Sequence, residues 1–303
     1  MTVRNVWLAA VCLLAWSCTF AQAQEDATAT WKPVEAALGR SGQMQPGGVY
    51  KFALPRKDMK VVKDGVTVAP GLALGSWVAF KQMGSEAMVM GDLVLTEDEI
   101  EPVMLKLQQE GIEQTAIHNH LLGESPRVLY MHIEGHGDPV ALAHSLAKAI
   151  ALTKAPAPAT TAPSTTQQTI DLNTAQVEHA LGYTGKVNGG ILQFSIARSE
   201  KITEGVMEIP PSMGTATAIN FQPTGGGKAA ITGDFVLLAS EVNPVIRALR
   251  THGIEVEALH NHMLADQPHL YFMHFWGNDD AVALAQGLRT ALDATNSQKP
   301  QTK

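Results

Sequence analysis

The C-terminal part of the sequence contains three histidines whose spacing suits a metal ion. His260 and His262 form an H-x-H pair, and His274 follows on a second strand-like stretch. Alternate side chains of a β-strand point to one face, so the pair shares a face. Three neutral imidazoles with a fourth position open suit Zn²⁺, which polarises carbonyls or activates water. Cu²⁺ and Ni²⁺ also favour imidazole, so the pattern alone does not choose the ion.

A second set of histidines, His118, His120 and His132, repeats the first set. The offset is constant, because 260 − 118, 262 − 120 and 274 − 132 all equal 142. The two sets take six of the eleven histidines in the chain, which favours a metal or active site. The alternative is that the histidines hydrogen-bond one another and the backbone beneath a helix.

The histidines of each copy read as part of a hairpin. In the second copy, a turn near Gln267 places His260 opposite His274 and His262 opposite Phe272. Directly opposed side chains have Cβ atoms only ~5 Å apart. The three imidazoles of one copy would then converge on one ion.

Two acidic residues, Asp234 and Glu241, are the candidate catalytic residues. Their counterparts at the same offset are Asp92 and Glu99. Each is a candidate for a fourth ligand, a general base or a group that orients a ligand. A structural role is as compatible with Glu241, because a carboxylate near a helix N-terminus interacts favourably with the helix dipole.

The duplication extends beyond the histidines. Gly91–Leu95 (GDLVL) recurs as Gly233–Leu237 (GDFVL), again 142 residues later. The Pro/Ala/Thr tract between the copies has no apolar face to bury, so we predict that it is a linker. We therefore divide the chain into a signal peptide (1–23), domain copy 1 (27–152), a linker (153–169), domain copy 2 (170–294) and a polar tail (295–303).

The sequence of each copy predicts a short first helix followed by the same order of secondary-structure elements, β-β-β-α-β-β-α. Strand-like stretches around Val49–Leu54, Val66–Phe80 and Met88–Leu95 are bounded by Gly and Pro. Apolar residues of the predicted helix follow helical spacing, as at Val242, Val245 and Leu249. Short connections favour an antiparallel or mixed sheet with helices packed on one face. The predicted fold class is α+β, present as two tandem copies.

The N-terminal residues predict export. Arg4, the apolar run Val6–Phe20 and the small-x-small residues 21–23 have the order of a signal peptide. The run is shorter than the ~20 residues of a spanning helix, so no transmembrane segment is expected in the mature chain. We expect a periplasmic or secreted protein. Lipid attachment at Cys18 is the less favoured route, because Trp16 fits a lipobox poorly.

The composition excludes several classes of protein. Both cysteines, Cys12 and Cys18, fall in the predicted signal peptide, so the mature chain has no disulfide and no thiolate ligand. With 22 basic and 29 acidic residues, the chain has a net charge of −7 and no basic cluster, which argues against nucleic acid as a partner. The sequence leaves open the oligomeric state, and whether the copies form one site or two.

The stretch Gly233–Asp280, GDFVLLASEVNPVIRALRTHGIEVEALHNHMLADQPHLYFMHFWGNDD, resembles the LppY/LpqO family of bacterial exported proteins. Copy 1 has the same motif between Gly91 and Asp138. The resemblance implies an exported protein with duplicated domains, and it implies no particular activity. Copy 1 has Ile133-Glu134 where copy 2 has Phe275-Trp276, so the two copies need not be equivalent.

Two functions fit these features. In the first, the chain is a metal-dependent hydrolase or lyase in which His260, His262 and His274 hold Zn²⁺ and Asp234 or Glu241 assists. In the second, it is a non-catalytic module that binds a small ligand, a cell-wall fragment or the metal itself. The two differ in water access, because a catalytic ion keeps an open coordination position and a structural ion does not.

Overall fold

The computed structural model describes residues 29–155 and 170–299. The predicted signal peptide with its two cysteines, and most of the predicted linker, lie outside the described residues. Within these two ranges no helix is both long enough and apolar enough to cross a membrane.

The first half alternates strands with three helices. Its elements are α1 (Lys32–Leu38), β1 (Gln43–Gln45), β2 (Val49–Pro55), β3 (Val62–Lys63), β4 (Val66–Thr67), β5 (Gly75–Met83), β6 (Glu86–Thr96), α2 (Glu97–Gln109), β7 (Glu113–His118), β8 (Val128–Gly137) and α3 (Pro139–Ile150).

The second half repeats this order and adds a short 3₁₀ turn before its longest hairpin and a short strand before its last strand. Its elements are α4 (Thr174–Leu181), β9 (Lys186–Asn188), β10 (Ile191–Ala197), β11 (Thr203–Glu204), β12 (Met207–Glu208), the turn Pro211–Met213, β13 (Ala216–Gly225), β14 (Lys228–Leu237), α5 (Ala239–Thr251), β15 (Glu255–His260), β16 (Asp266–Gln267), β17 (Tyr271–Asp280) and α6 (Ala281–Leu292).

Each half contains one six-stranded sheet. The strand orders are β1-β2-β5-β6-β8-β7 and β9-β10-β13-β14-β17-β15, so the sheets correspond strand by strand. Every pairing within the two sheets is antiparallel. The predicted α+β fold in two tandem copies is confirmed.

Local side chains explain where several helices begin. The Asp138 and Asp280 carboxylates accept hydrogen bonds from the backbone N–H groups of Ala141 and Ala283, both at 2.8 Å. Asn173 caps α4 in the same way. Such caps satisfy donors that the first turn of a helix leaves free.

The two sheets face each other, and the helices lie outside them. One core in each half fills the space between helices and sheet. The opposite face of each sheet packs on the other half: Met88 and Met90 share a cluster with Phe272, and Tyr130 shares another with Trp276. The layers therefore run helices, sheet, sheet, helices, and burial of apolar side chains holds the two inner layers together.

Residues that the sequence assigns to the linker and the tail contact the two halves. The Lys154 N–H donates to the Glu99 carboxylate, and the Asn296 N–H donates to that of Glu241, both at 2.7 Å. These contacts match at the offset of 142. Each repeated unit therefore extends a few residues past its predicted end.

Candidate metal centre

The sheets place one histidine and one aspartate of each half side by side. Asp92 on β6 is opposite His132 on β8, and Asp234 on β14 is opposite His274 on β17. Their side chains lie on the sheet faces that meet between the halves. The register of the central strands thus fixes an Asp–His pair in each half.

The residue before each aspartate is a glycine because the neighbouring strand leaves no room for a side chain. A Cβ on Gly233 would lie 1.9 Å from the carbonyl oxygen of Ala218 on the neighbouring strand, so only glycine allows this approach. His274 Nδ1 donates to the Gly233 carbonyl oxygen at 2.7 Å. The Gly-Asp dipeptide therefore positions both Asp234 and His274.

The predicted register of the hairpin is wrong by two residues. His260 lies opposite Phe272, and Ala258 lies opposite His274. The strands are not joined by a tight turn: the connection includes β16, which pairs with β11 instead. A shift of two residues keeps the same side chains on the same face, so His260 and His274 still share a face.

His120 and His262 lie just beyond the ends of β7 and β15, in loops rather than in strands. Asn261 holds the second loop: its side-chain amide donates to the carbonyl oxygens of Thr115 at 3.0 Å and Met263 at 3.1 Å. The Thr115 hydroxyl in turn donates to the His262 carbonyl oxygen at 2.5 Å. The other half of the chain thus sets the position of His262.

The asparagine of the H-N-H tripeptide is a positioning residue that the sequence analysis did not use. In copy 1, the Asn119 amide donates to the carbonyl oxygens of Leu121 at 3.2 Å and of Glu257, in the other half, at 3.3 Å. The signal was present in the sequence, because both copies have asparagine between the two histidines.

The six histidines form a single cluster between the halves. Among the six histidines, the shortest distances between ring centroids are between rings of different halves. They are 3.5 Å for His118 and His260, 3.7 Å for His120 and His274, and 3.7 Å for His132 and His262. Within a half the rings are farther apart, for example 5.0 Å for His118 and His132. The offset of 142 exchanges the two 3.7 Å pairs, so the halves are related by an approximate twofold axis.

Backbone carbonyl groups fix the tautomer of several rings. Nδ1 of His118 and Nδ1 of His260 lie 3.0 Å from the carbonyl oxygens of Asn119 and Asn261. His274 is held in the same way. A carbonyl oxygen only accepts, so Nδ1 carries the proton and Nε2 has the free lone pair of a neutral ring.

Burial keeps the rings neutral. It lowers the pKa of His118 and of His260 to about 4. Burial is also the largest cause of the pKa values of His120, His132, His262 and His274, which lie well below the ordinary value. Neutral imidazole is the form that binds a metal ion.

Nε2 of each of the six histidines is buried and, within the described residues, has no hydrogen-bond partner. The same is true of Oδ1 of Asp92 and of Asp234. A buried acceptor without a donor costs roughly 1–3 kcal/mol, and here such acceptors lie in neighbouring groups whose ligand atoms are within 4.8 Å of one another. These atoms are therefore placed to bind a cation.

The two aspartates are poorly compensated by protein charges. Burial, and next the charge of Asp234, raise the pKa of Asp92 well above its ordinary value, and Lys51 offsets this only in part. Burial also raises the pKa of Asp234. A divalent cation between these carboxylates would favour their charged form.

The structure places Glu241 in a helix cap and not among the histidines. Its carboxylate accepts hydrogen bonds from the Leu238 N–H at 2.7 Å and from the Arg198 guanidinium at 2.7 and 3.0 Å. Glu99 is bound in the same way by Arg56 at the start of α2. The contacts therefore support the structural alternative for both glutamates.

These features define a duplicated α+β protein with a histidine-rich centre between its halves. The chain belongs to the family described as Domain of Unknown Function (DUF1259), whose model matches residues 32–152 and 175–294. The two matched segments support a duplicated domain of unknown function. They do not confirm the resemblance to LppY/LpqO proteins. No curated protein matches the chain.

Three solved structures show slight similarity to the chain. The trimeric bacterial microcompartment shell protein PduB is 11% identical, with a TM-score of 0.20, over 84% of this chain and 88% of that chain. The ethanolamine utilization protein EutL from Leptotrichia buccalis is 9% identical, with a TM-score of 0.19, over 84% and 97%. EtuB from Clostridium kluyveri is 9% identical, with a TM-score of 0.20, over 86% and 97%. TM-scores this low support no inference about fold or assembly.

Proposed function

We propose that this protein binds divalent transition-metal ions, with zinc as the first candidate, at the centre between its two halves. The observation that carries the proposal is the convergence of six buried Nε2 atoms, each without a hydrogen-bond partner in the described part of the chain. A metal-free histidine network would instead pair these atoms with donors. Imidazole and carboxylate ligands without a thiolate suit zinc, and Cu²⁺ and Ni²⁺ are the competing ions.

Metal content tests this proposal directly. The mature protein is purified without a His-tag, and its metals are measured by mass spectrometry beside His260→Ala/His262→Ala. His144→Ala is the matched control, because His144 is exposed on α3, outside the cluster. We expect metal in the parent and in the control, and less in the double variant, with all three folded by circular dichroism. A parent that holds no metal even after zinc is added would contradict the proposal.

Catalysis by the bound metal, as a hydrolase or lyase, is the second candidate. The incomplete burial of the His118, His120 and His260 side chains favours it, because a catalytic ion needs a coordination position that water and substrate can reach. The zinc-loaded protein is tested on a panel of esters, phosphoesters and amides, with His260→Ala/His262→Ala as the control. Affinity for a small ligand or cell-wall fragment without turnover would support the non-catalytic module.

Export and a relationship to LppY/LpqO proteins complete the proposal. They are supported by the residue pattern before Gln24 and by the motif in Gly233–Asp280. Expression in a bacterial host, followed by N-terminal analysis, is expected to give a soluble chain beginning at Gln24. An acylated Cys18 would indicate a lipoprotein, and an uncleaved cytoplasmic chain would contradict export.

A further inference from the structure

The ligand atoms of the centre form two sets, and each set takes residues from both halves. Set one is His260 and His262 from copy 2 with His132 from copy 1. Set two is His118 and His120 from copy 1 with His274 from copy 2. In each set the ring nitrogens lie within 4.8 Å of one another. The offset of 142 converts one set into the other, so the approximate twofold axis relates them.

One ion does not serve both sets. Zinc binds a histidine nitrogen at about 2.0–2.1 Å, so two ligands of one zinc ion lie at most about 4.2 Å apart. His132 and His262 belong to a group of neighbouring ring nitrogens that also contains His118 and His260 but contains neither His120 nor His274. The two cross-half pairs at 3.7 Å, which the offset of 142 exchanges, therefore mark two separate positions for an ion.

Asp92 lies between the two positions. Its Oδ1 is 3.9 Å from Nε2 of His132 in set one, and its Oδ2 is 3.8 Å from Nε2 of His120 in set two. Each oxygen thus faces a different set. A carboxylate in this position can bind one ion through each oxygen, as in two-metal sites whose ions lie ≈ 3.5–4 Å apart.

Asp234 repeats this arrangement from the other half. Its Oδ2 is 3.1 Å from Nε2 of His262 in set one, and its Oδ1 is 3.9 Å from Nδ1 of His274 in set two. Asp234 also joins His260 and His274, one member of each set, in a group of neighbouring ligand atoms. Two carboxylates from opposite halves therefore flank both positions.

We infer that the centre holds two metal ions, each bound by the H-x-H pair of one half and the strand histidine of the other half, with Asp92 and Asp234 bridging them. This inference rests on the proposed metal binding and goes beyond it in stoichiometry and in ligand assignment. It differs from the sequence-based hypothesis, in which each copy uses its own three histidines.

The number of zinc ions per chain tests the stoichiometry. Native mass spectrometry of the intact mature chain, titrated with zinc, is expected to show two bound ions. A single ion at saturation would overturn the inference and leave the proposed metal binding intact. The absence of any bound ion would overturn both.

Paired variants test which histidines share an ion. His132→Ala/His262→Ala removes two ligands of set one, so the chain should still bind one zinc ion. His132→Ala/His120→Ala removes one ligand from each set, so both ions should be lost. If each half instead formed its own site, the results would be reversed. Circular dichroism and thermal unfolding confirm that each variant is folded before zinc is counted.

Binding of copper to the unaltered chain tests the bridged pair without any substitution, so a folding defect cannot affect the result. With two equivalents of Cu²⁺, carboxylate-bridged ions should couple, and the mononuclear electron paramagnetic resonance signal should largely disappear. Two equivalents that both give full-intensity mononuclear signals would contradict a bridged pair.

Discussion

At the scale of single residues, the centre depends on the groups that hold the histidines as well as on the histidines. Gly233 accepts a hydrogen bond from His274, and Asn261 ties the loop of His262 to Thr115 in the other half. Groups of this kind fix the orientation of a ligand and raise its basicity. Their removal should weaken metal binding without removing a ligand.

Asn261→Ala should lower the affinity for zinc about 10–100-fold, because His262 loses the contact that holds its loop. The free energy of unfolding should fall by roughly 1–3 kcal/mol, since the Thr115 carbonyl loses a donor. Zinc titration and urea unfolding measure the two effects. Asn188→Ala is the control, because Asn188 is exposed and its amide bonds to Gln193 in its own half. An unchanged zinc affinity would show that Asn261 does not position His262.

At the scale of elements, the first turns of α2 and α5 are held by buried ion pairs. Arg198 has a side chain that is 1% exposed, and it binds both Glu241 and Glu200. Glu241→Gln should lower the free energy of unfolding by roughly 3 kcal/mol, because the buried guanidinium loses a charged partner. The number of zinc ions bound should not change. If the variant bound less zinc but kept the free energy of unfolding of the parent, Glu241 would have to be a member of the metal centre.

Glu204 on β11 makes a pH-dependent contact between the two halves. It faces Glu134 on β8 and Asp266 on β16, and burial, followed by the charge of Glu134, raises the pKa of Glu204 to about 7 from 4.5. The folded state therefore holds an extra proton between these values, so this group's contribution to stability is largest below pH 4.5 and is lost as the pH rises to 7.

Glu204→Gln should remove this decrease in stability with rising pH. At pH 8 the free energy of unfolding should rise by about 1–2 kcal/mol, a value reduced for the partial exposure of the side chain. Well below pH 4.5 the change should be small, because Glu204 is protonated in both states there. Urea unfolding at the two pH values measures the difference, and Glu113→Gln on the exposed edge of β7 is the control. An equal effect at both pH values would contradict the protonated form of Glu204.

The elements also show what the sequence could and could not predict. Local signals, such as the aspartate caps of α3 and α6 and the glycines and prolines that bound the strand-like stretches, predict the α+β fold because they act within a few residues. The register of His260 depends on how β16 pairs with β11, which no local signal in the hairpin contains. The contacts between histidines of different halves depend on sheet packing across about 140 residues of chain, so the repeat singled out the six histidines but not which of them lie together.

At the scale of the whole molecule, the duplication produces one interface with two equivalent halves and some unequal contacts. Lys63 Nζ lies 3.4 Å from Glu257 Oε2 across the interface, and it also lies over the Trp276 ring. On the other side, the counterpart of Trp276 at the offset of 142 is Glu134, and it faces Glu204. The apolar clusters hold the halves together, and each bound ion would add a link because its ligands come from both.

Cutting the linker should therefore leave the halves associated, and zinc should strengthen that association. A protease site is inserted within residues 156–169, and the cut protein is diluted with zinc or with a chelator in analytical ultracentrifugation. At free zinc 100-fold above its Kd, each ion stabilises the complex by about 2.7 kcal/mol, so the dissociation constant of the halves should fall about 100-fold per ion. Cut His132→Ala/His120→Ala should show no such dependence. If zinc binds the cut parent protein without changing the association of its halves, the ligands of each ion lie within one half, and the assignment of shared histidines fails.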